Sequence, residues 1–356
     1  MMIRDELTAV PPDYHGAIDF AELVRWGIDP DDVIDFSVNS NPFGPADSVR
    51  EALTAVSLTR YPDKACLDLR QALSGHLNVP MAQILVGNGT AELLWLIAFA
   101  CLRAGDRVLV IGPTFGEYAR NARLMGAEII TWQARPENDF AVQIDEIETI
   151  LERERPSLVH LCNPNNPTGQ IVAVETIAKW ARQWPQTLFV IDEAYLAFVP
   201  RLATAVSLGL DNVLTLRSMT KDYALAGLRL GYAVGTLKLI TALSRAQIPW
   251  SVNSLAQAAG IAALDAHDVY EQMWRKLRDE TAVFRQSLCQ LGYAPSPSRT
   301  HYFLMDVGKG KVWRERLLAQ GILVRLCESY NLPAFVRIAT LTPEENGRLL
   351  TVLAEI

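Results

Sequence analysis

Between Thr187 and Tyr232 two short apolar runs stop abruptly at polar residues, and no other feature limits the fold of this chain so tightly. Leu188 to Ile191 lead straight into Asp192, and Val213 to Leu216 lead into Arg217-Ser218-Met219-Thr220-Lys221. Short apolar runs that stop at polar residues suit strands buried on both faces, as in a parallel sheet. Ligands of such sheets bind beyond the carboxyl ends of the strands. Two strands of this kind would deliver a carboxylate and an amine to one crevice.

The surrounding sequence repeats the pattern. QILVGNGTAELLWLIAFACL reads as strand, glycine turn and apolar helix; DRVLVIGPTF and SLVHLCNPNNPTG read as strand then loop. AEIITW and LGYAV add strands and TIAKWARQW a helix. Strands alternating with helices predict an α/β fold with a mostly parallel, doubly wound sheet. Ahead of it, residues 1 to about 35 read as an arm with a short amphipathic helix from Phe20 to Trp26, followed by IDFSVNSNPFGP as a loop. A helix is expected from about Leu67 to Leu77. Past about Arg245, long helical patterns precede three strand-like runs, HYFLMDV, ILVRLC and FVRIAT, which suggests a smaller α+β domain. The expected division is residues 1–60 as arm and part of the small domain, 61–245 as the large domain, and 246–356 as the small C-terminal domain.

Length and charge narrow the function. A chain of 356 residues exceeds one compact core. Its net charge of −7, without blocks of like charge, argues against nucleic acid as a partner. The five cysteines form no CxxC pair and the five histidines have no metal-ligand spacing, so reduced thiols and no metal are expected. The N-terminus is too polar for a signal peptide, and the most apolar stretch, Leu93 to Leu102, is about half of a membrane span. A soluble, cytoplasmic protein is expected.

Several polar groups fall at strand ends. Gly87-Asn88-Gly89-Thr90 lies between strand and helix, where glycines admit a close ligand and helix N–H groups suit a phosphate; any such turn also favours glycine. Asn163 to Gly169 is a proline-stiffened turn that holds side-chain amides in place. Asp192 reads either as a helix N-cap or as a buried acid that needs a cationic partner, with Tyr195 three residues on. Ser218 and Arg229 flank Lys221 in a segment too apolar for a plain surface loop, a combination that suits a phosphate dianion. Arg337 sits between apolar runs, as a carboxylate clamp or as half of an inter-domain ion pair. A lysine and an acid brought together are what pyridoxal phosphate chemistry asks of a protein: an amine for the Schiff base and a carboxylate for the pyridinium nitrogen.

In order and spacing, GNGTAE, PTF, NPNNPTG, DEAY, SMTK and GLRLGY resemble the fold-type-I pyridoxal phosphate enzymes of the aminotransferase class I/II branch. The likeness runs from about His15 to the C-terminus. Within the branch the chain is similar to the histidinol-phosphate aminotransferase group. Inside that group it is most similar to the L-threonine-O-3-phosphate decarboxylases of cobalamin biosynthesis, through His15-Gly16, IDFSVNSNPFGP, IPWSVNSLA and ILVRLCESY. The resemblance implies that Lys221 carries the cofactor and Asp192 faces its ring nitrogen, with Asn166 and Tyr195 at the ring hydroxyl. It places Gly89, Thr90, Ser218 and Arg229 at the cofactor phosphate, Phe115 on the ring, and Tyr61 across from a neighbouring subunit of a homodimer. It makes Arg337 the contact for a substrate acid group, with Arg325, Asn39 and His15 as further substrate contacts. One position departs from the pattern. Leu341 stands where the relatives usually carry a second arginine, four residues after Arg337, which removes one expected anion contact.

The reaction implied is decarboxylation of L-threonine O-3-phosphate to (R)-1-amino-2-propanol phosphate. The alternative is amino transfer between a substrate such as histidinol phosphate and 2-oxoglutarate. The same catalytic residues serve both; the bond held perpendicular to the ring decides.

Overall fold

The computed structural model describes residue 7 and residues 16–355. Its first strand, β1 (Ile34–Asp35), belongs to a two-stranded sheet, and the next seven form the large one. These are β2 (Ile84–Gly87), β3 (Arg107–Gly112), β4 (Glu128–Gln133), β5 (Leu158–Cys162), β6 (Leu188–Asp192), β7 (Val213–Ser218) and β8 (Gly231–Val234). Their order is β2-β8-β7-β6-β5-β3-β4, with β8 antiparallel to both neighbours and every other pairing parallel.

Successive side chains of a strand face opposite sides of a sheet, and the core here divides accordingly. Val108, Val110 and Val190 enter one apolar cluster, while Leu109, Ile111, Phe189 and Ile191 enter another on the far face. The helix Gly89–Cys101 supplies Leu93, Leu94, Leu96 and Ile97 to the first cluster. The helix Val174–Gln183 brings Ile177, Trp180 and Ala181 to the second. Covered on both faces, the central strands have to read as continuous apolar runs. That is the doubly wound α/β fold expected.

Four strands follow, β9 (Tyr302–Asp306), β10 (Ile322–Leu323), β11 (Arg325–Leu326) and β12 (Phe335–Ala339); β9, β11 and β12 form the small sheet, and β10 joins β1 in a two-stranded one. β11, β12 and β9 pair antiparallel in that order, while β10 pairs in parallel with β1. Two expectations need correction here. ILVRLC is two strands rather than one, because the chain passes at Val324 from pairing with β1 to pairing with β12. The IDFSVNSNPFGP loop begins as a strand, since β10 offers it partners: Ile34 N donates to Gly321 O at 2.9 Å and Phe36 N to Leu323 O at 2.8 Å.

The helices Phe20–Trp26 and Leu67–Leu77 form over the residues expected. Asp19 caps the first by accepting from Ala21 N and Glu22 N. After residue 245 the helix Ser254–Asp265, capped by Asn253, lies against the helix Asp47–Thr54 and joins the apolar cluster of the large sheet. Small residues let it approach closely: a Cβ on Gly260 would stand 2.7 Å from a Leu230 methyl. The following helix, His267–Gln290, connects the cores. Its Tyr270, Trp274 and Leu277 pack with the large sheet, and its Phe284 and Leu288 with the small one. Among the described residues no helix is long and apolar enough to cross a membrane.

Candidate active site

The parallel strands end at one edge of the large sheet, where β5 delivers Cys162, β6 Asp192 and β7 Ser218. Beyond that edge, between the two sheets, lies a cavity of about 440 Å³. Asp192 lines it and is 5% exposed. Its Oδ2 accepts from the Tyr118 hydroxyl at 2.7 Å and its Oδ1 from Ala194 N at 3.0 Å. The N-cap alternative finds no helix to cap, since only the single turn Leu196–Phe198 follows. Burial pushes the Asp192 carboxyl up to about 6, against the pull of those bonds and of Lys221. A carboxylate so placed favours a cationic partner.

Lys221 lines the same cavity. Loss of water, together with the charges of Arg337 and Arg229, pulls its amine down to about 8. Opposite it the polar groups converge. Thr90, Ser218, Thr220 and Arg229 border the cavity, and the Ser218 and Thr220 hydroxyls lie 2.6 Å apart. Gly89 does not reach the cavity but makes room for this cradle. Its φ is +72°, and a Cβ there would stand 2.9 Å from Arg229 Nη2. A guanidinium, hydroxyls and the first N–H groups of a helix suit a phosphate.

The Asn163–Gly169 turn divides its amides between structure and site. Asn163 bonds Val172 through both side-chain atoms, and Asn165 Nδ2 donates to Pro113 O and Thr168 Oγ1, each at 2.9 Å. Asn166 alone of the three lines the cavity. Its Oδ1 accepts from Arg337 Nη1, while Arg337 Nη2 donates to Ser37 O. Phe115 and Tyr195 complete the wall, Tyr195 with its ring 4.9 Å from that of Tyr302.

Of the proposed substrate contacts, Arg337 and Asn39 border the cavity. Arg325 is Arg337's cross-strand partner and is buried, but it lies one strand away; its guanidinium reaches Ser329 Oγ at 2.8 Å and lies 5.2 Å from the ring centre of Tyr330. His15 falls outside the described residues, although Gly16 beside it lines the cavity. Tyr61 is 80% exposed, packs at a tilt against Trp250 with ring centres 4.9 Å apart, and is not among the residues that line its own chain's cavity. Leu341 packs in the apolar cluster of the small sheet with Phe303 and Leu349. Leu341 is not among the residues that line the cavity.

Sequence reasoning missed Tyr118, Cys162, Thr220 and Tyr330, all of which line the cavity. Tyr118 had one available signal, its place three residues after Phe115 on the same loop-to-helix turn.

A cavity with a buried acid at one end, an anion cradle at another and an amine beside both fits a flat cationic ring with a phosphate tail. Fold and site together define a pyridoxal 5′-phosphate enzyme of fold type I. The sequence pattern of the family described as aminotransferase class I and II matches residues 31–353, and the chain belongs to that family. Pyridoxal 5′-phosphate is its cofactor. Among relatives, a threonine-phosphate decarboxylase from Salmonella typhimurium is 37% identical over 344 residues, 93% of each chain. A histidinol-phosphate aminotransferase from Symbiobacterium thermophilum is 36% identical over 329 residues, 90% of each chain. Among solved structures, histidinol-phosphate aminotransferase from Sinorhizobium meliloti in complex with pyridoxal-5′-phosphate superposes with a TM-score of 0.89 at 27% identity, covering 99% of this chain and 96% of that one.

Proposed function

We propose that this enzyme decarboxylates L-threonine O-3-phosphate to (R)-1-amino-2-propanol phosphate, as a cytoplasmic homodimer. The observation that carries the reading is the supply of positive charge at the cavity. Its basic lining residues are Lys221, Arg229 and Arg337. With Arg229 in the phosphate cradle and Lys221 committed to the cofactor, Arg337 is, among the described residues, the basic side chain left for the substrate's anions. A phosphorylated amino acid needs one guanidinium for its phosphate, and its carboxylate is then free to stand perpendicular to the ring.

Asp192 and Lys221 would hold the cofactor at its two reactive ends, with Asn166 and Tyr195 at the ring hydroxyl and Phe115 against its face. Pyridoxal phosphate supplies the electron sink for the pair left at the α-carbon. Asp192 keeps the proton on the ring nitrogen, because a neighbouring negative charge favours the cationic form. Lys221 returns a proton to the α-carbon. Tyr61, exposed and away from its own cavity, supports a role at the partner's phosphate cradle.

The test is incubation of cofactor-loaded protein with O-phospho-L-threonine, followed by carbon dioxide release and product mass. Release of carbon dioxide with aminopropanol phosphate is expected. No release, with amino transfer from histidinol phosphate to 2-oxoglutarate, would instead make the enzyme an aminotransferase.

A further inference from the structure

Two parts of the cavity wall come from different sheets and meet at one side chain behind them. The turn at residues 163–169, which carries Asn166, follows β5 of the large sheet, and Arg337 lies on β12 of the small one. Residues just ahead of β9 fasten the two together. Arg299 N donates to Gly169 O at 3.0 Å, and Gln170 Nε2 to Pro297 O at 3.0 Å. Tyr302 is the first residue of β9. It is fully buried and is not among the residues that line the cavity.

Three contacts join that side chain to the wall. Its hydroxyl donates at 3.0 Å to the carbonyl of Asn165, which belongs to the peptide that leads into Asn166. Burial pushes the phenol well above its ordinary range, so the hydroxyl keeps its proton and remains a donor. The ring stands edge-on to Tyr195, with centres 4.9 Å apart and 69° between the planes, a favoured aromatic geometry. The Arg337 guanidinium carbon lies 5.7 Å from the centre of the same ring, within reach of a cation–π contact. Arg337 and Asn166 in turn bond each other through Nη1 and Oδ1. One side chain outside the cavity therefore supports both members of a pair inside it.

We propose that Tyr302 is a positioning residue that sets the substrate clamp against the cofactor: its hydroxyl fixes the peptide behind Asn166, and its ring carries Arg337. The inference rests on the reading of Asn166 as a cofactor contact and of Arg337 as the guanidinium for a substrate oxyanion. Tyr302 does no chemistry itself. It decides how the substrate's anion lies relative to the ring, and misplacement there is costly because reacting groups have to be held close to their final geometry.

The experiment compares Tyr302→Phe with Tyr302→Leu in cofactor-loaded enzyme. Tyr302→Phe keeps the ring and loses only the bond to Asn165 O. Its cofactor dissociation constant should rise about fivefold and its visible absorbance maximum should shift, with KM for O-phospho-L-threonine within about threefold of the wild type. Tyr302→Leu removes the ring as well. It should raise KM about tenfold further, with kcat within about threefold of that of Tyr302→Phe. In an Arg337→Lys background, which lacks the planar guanidinium, the KM values of the two variants should differ less than about twofold. A lowered melting temperature with all these constants unmoved would show a packing role only and overturn the proposal. So would equal KM values for the two variants, or a difference of the same size in both Arg337 backgrounds. If Tyr302→Leu does not fold, Tyr302→Met replaces it, and the same equalities overturn the proposal. The cofactor readouts need no substrate. If the wild type turns over histidinol phosphate instead, the function proposed above fails, while those readouts and the same KM cycle on that substrate still decide the role of Tyr302.

Discussion

Tyr118 donates its phenolic hydrogen to Asp192 Oδ2 across 2.7 Å, while its ring lies flat on His160 at 4.8 Å with 8° between the planes. The stack leaves the hydroxyl little freedom. The carboxylate that faces the cofactor ring is therefore held by a side chain from a different βα unit, 74 residues away in sequence.

Tyr118→Phe removes that donor and leaves Ala194 N as the remaining support of Asp192. A hydrogen bond to a charged group contributes about 1.5–3 kcal/mol, so cofactor affinity and kcat should each fall at least about tenfold. Cofactor dissociation and steady-state rates measure this. Losses below twofold in both would mean that the backbone bond suffices.

Lys221 has to shed its proton before it can bond a carbonyl carbon, and its amine loses that proton near 8 rather than at the ordinary 10.5. Capture of cofactor by cofactor-free protein should thus quicken as pH rises and level off above about 8. A midpoint near 10.5 would refute the perturbed amine. Lys221→Ala should abolish both turnover and the visible absorbance of the loaded enzyme.

Leu341→Arg should not create a second anion clamp. It places a charge among Phe303, Ile338 and Leu349, and burial of an unpaired charge is among the few single changes that cost more than about 3 kcal/mol. A lowered melting temperature with no gain in substrate affinity is expected. Improved affinity in a stable protein would show that position 341 can reach the cavity.

A Tyr61 that acts across subunits can be tested by mixing two crippled chains. In a hybrid of Lys221→Ala and Tyr61→Ala subunits, one site carries both lesions and the other carries neither. Co-expression should restore activity that neither homodimer has. No recovery in verified hybrids would return Tyr61 to its own subunit or remove it from the site.

The strand ends were legible because burial on both faces forces apolar runs, so Asp192 and the pair Arg217-Ser218 stand out as the polar residues that end them. Lys221 and Arg229 followed from their neighbours in sequence. Tyr118 did not, because an aromatic at the start of a helix reads as core; only the tertiary structure aims its hydroxyl at β6. Arg325 was harder to place for another reason. Its run reads as one strand, but two backbone partners compete for it, and after the break at Val324 Arg325 pairs with Arg337 and is not among the residues that line the cavity. The helix Ser254–Asp265 is apolar and small-sided, and nothing local says which sheet it will cover.

The pairing of β1 with β10 has a consequence for how the enzyme is made. Ile34 and Asp35 leave the ribosome well before their partners Ile322 and Leu323. Domains synthesised N-terminus first fold as their segments emerge, so the large sheet can assemble while the segment that follows β1 is still unanchored at its β10 end. The part of the cavity wall that carries Asn39 closes only once β10 has been made. A nascent or prematurely terminated copy could therefore gather Asp192 and Lys221 without the surface that would select a substrate for them.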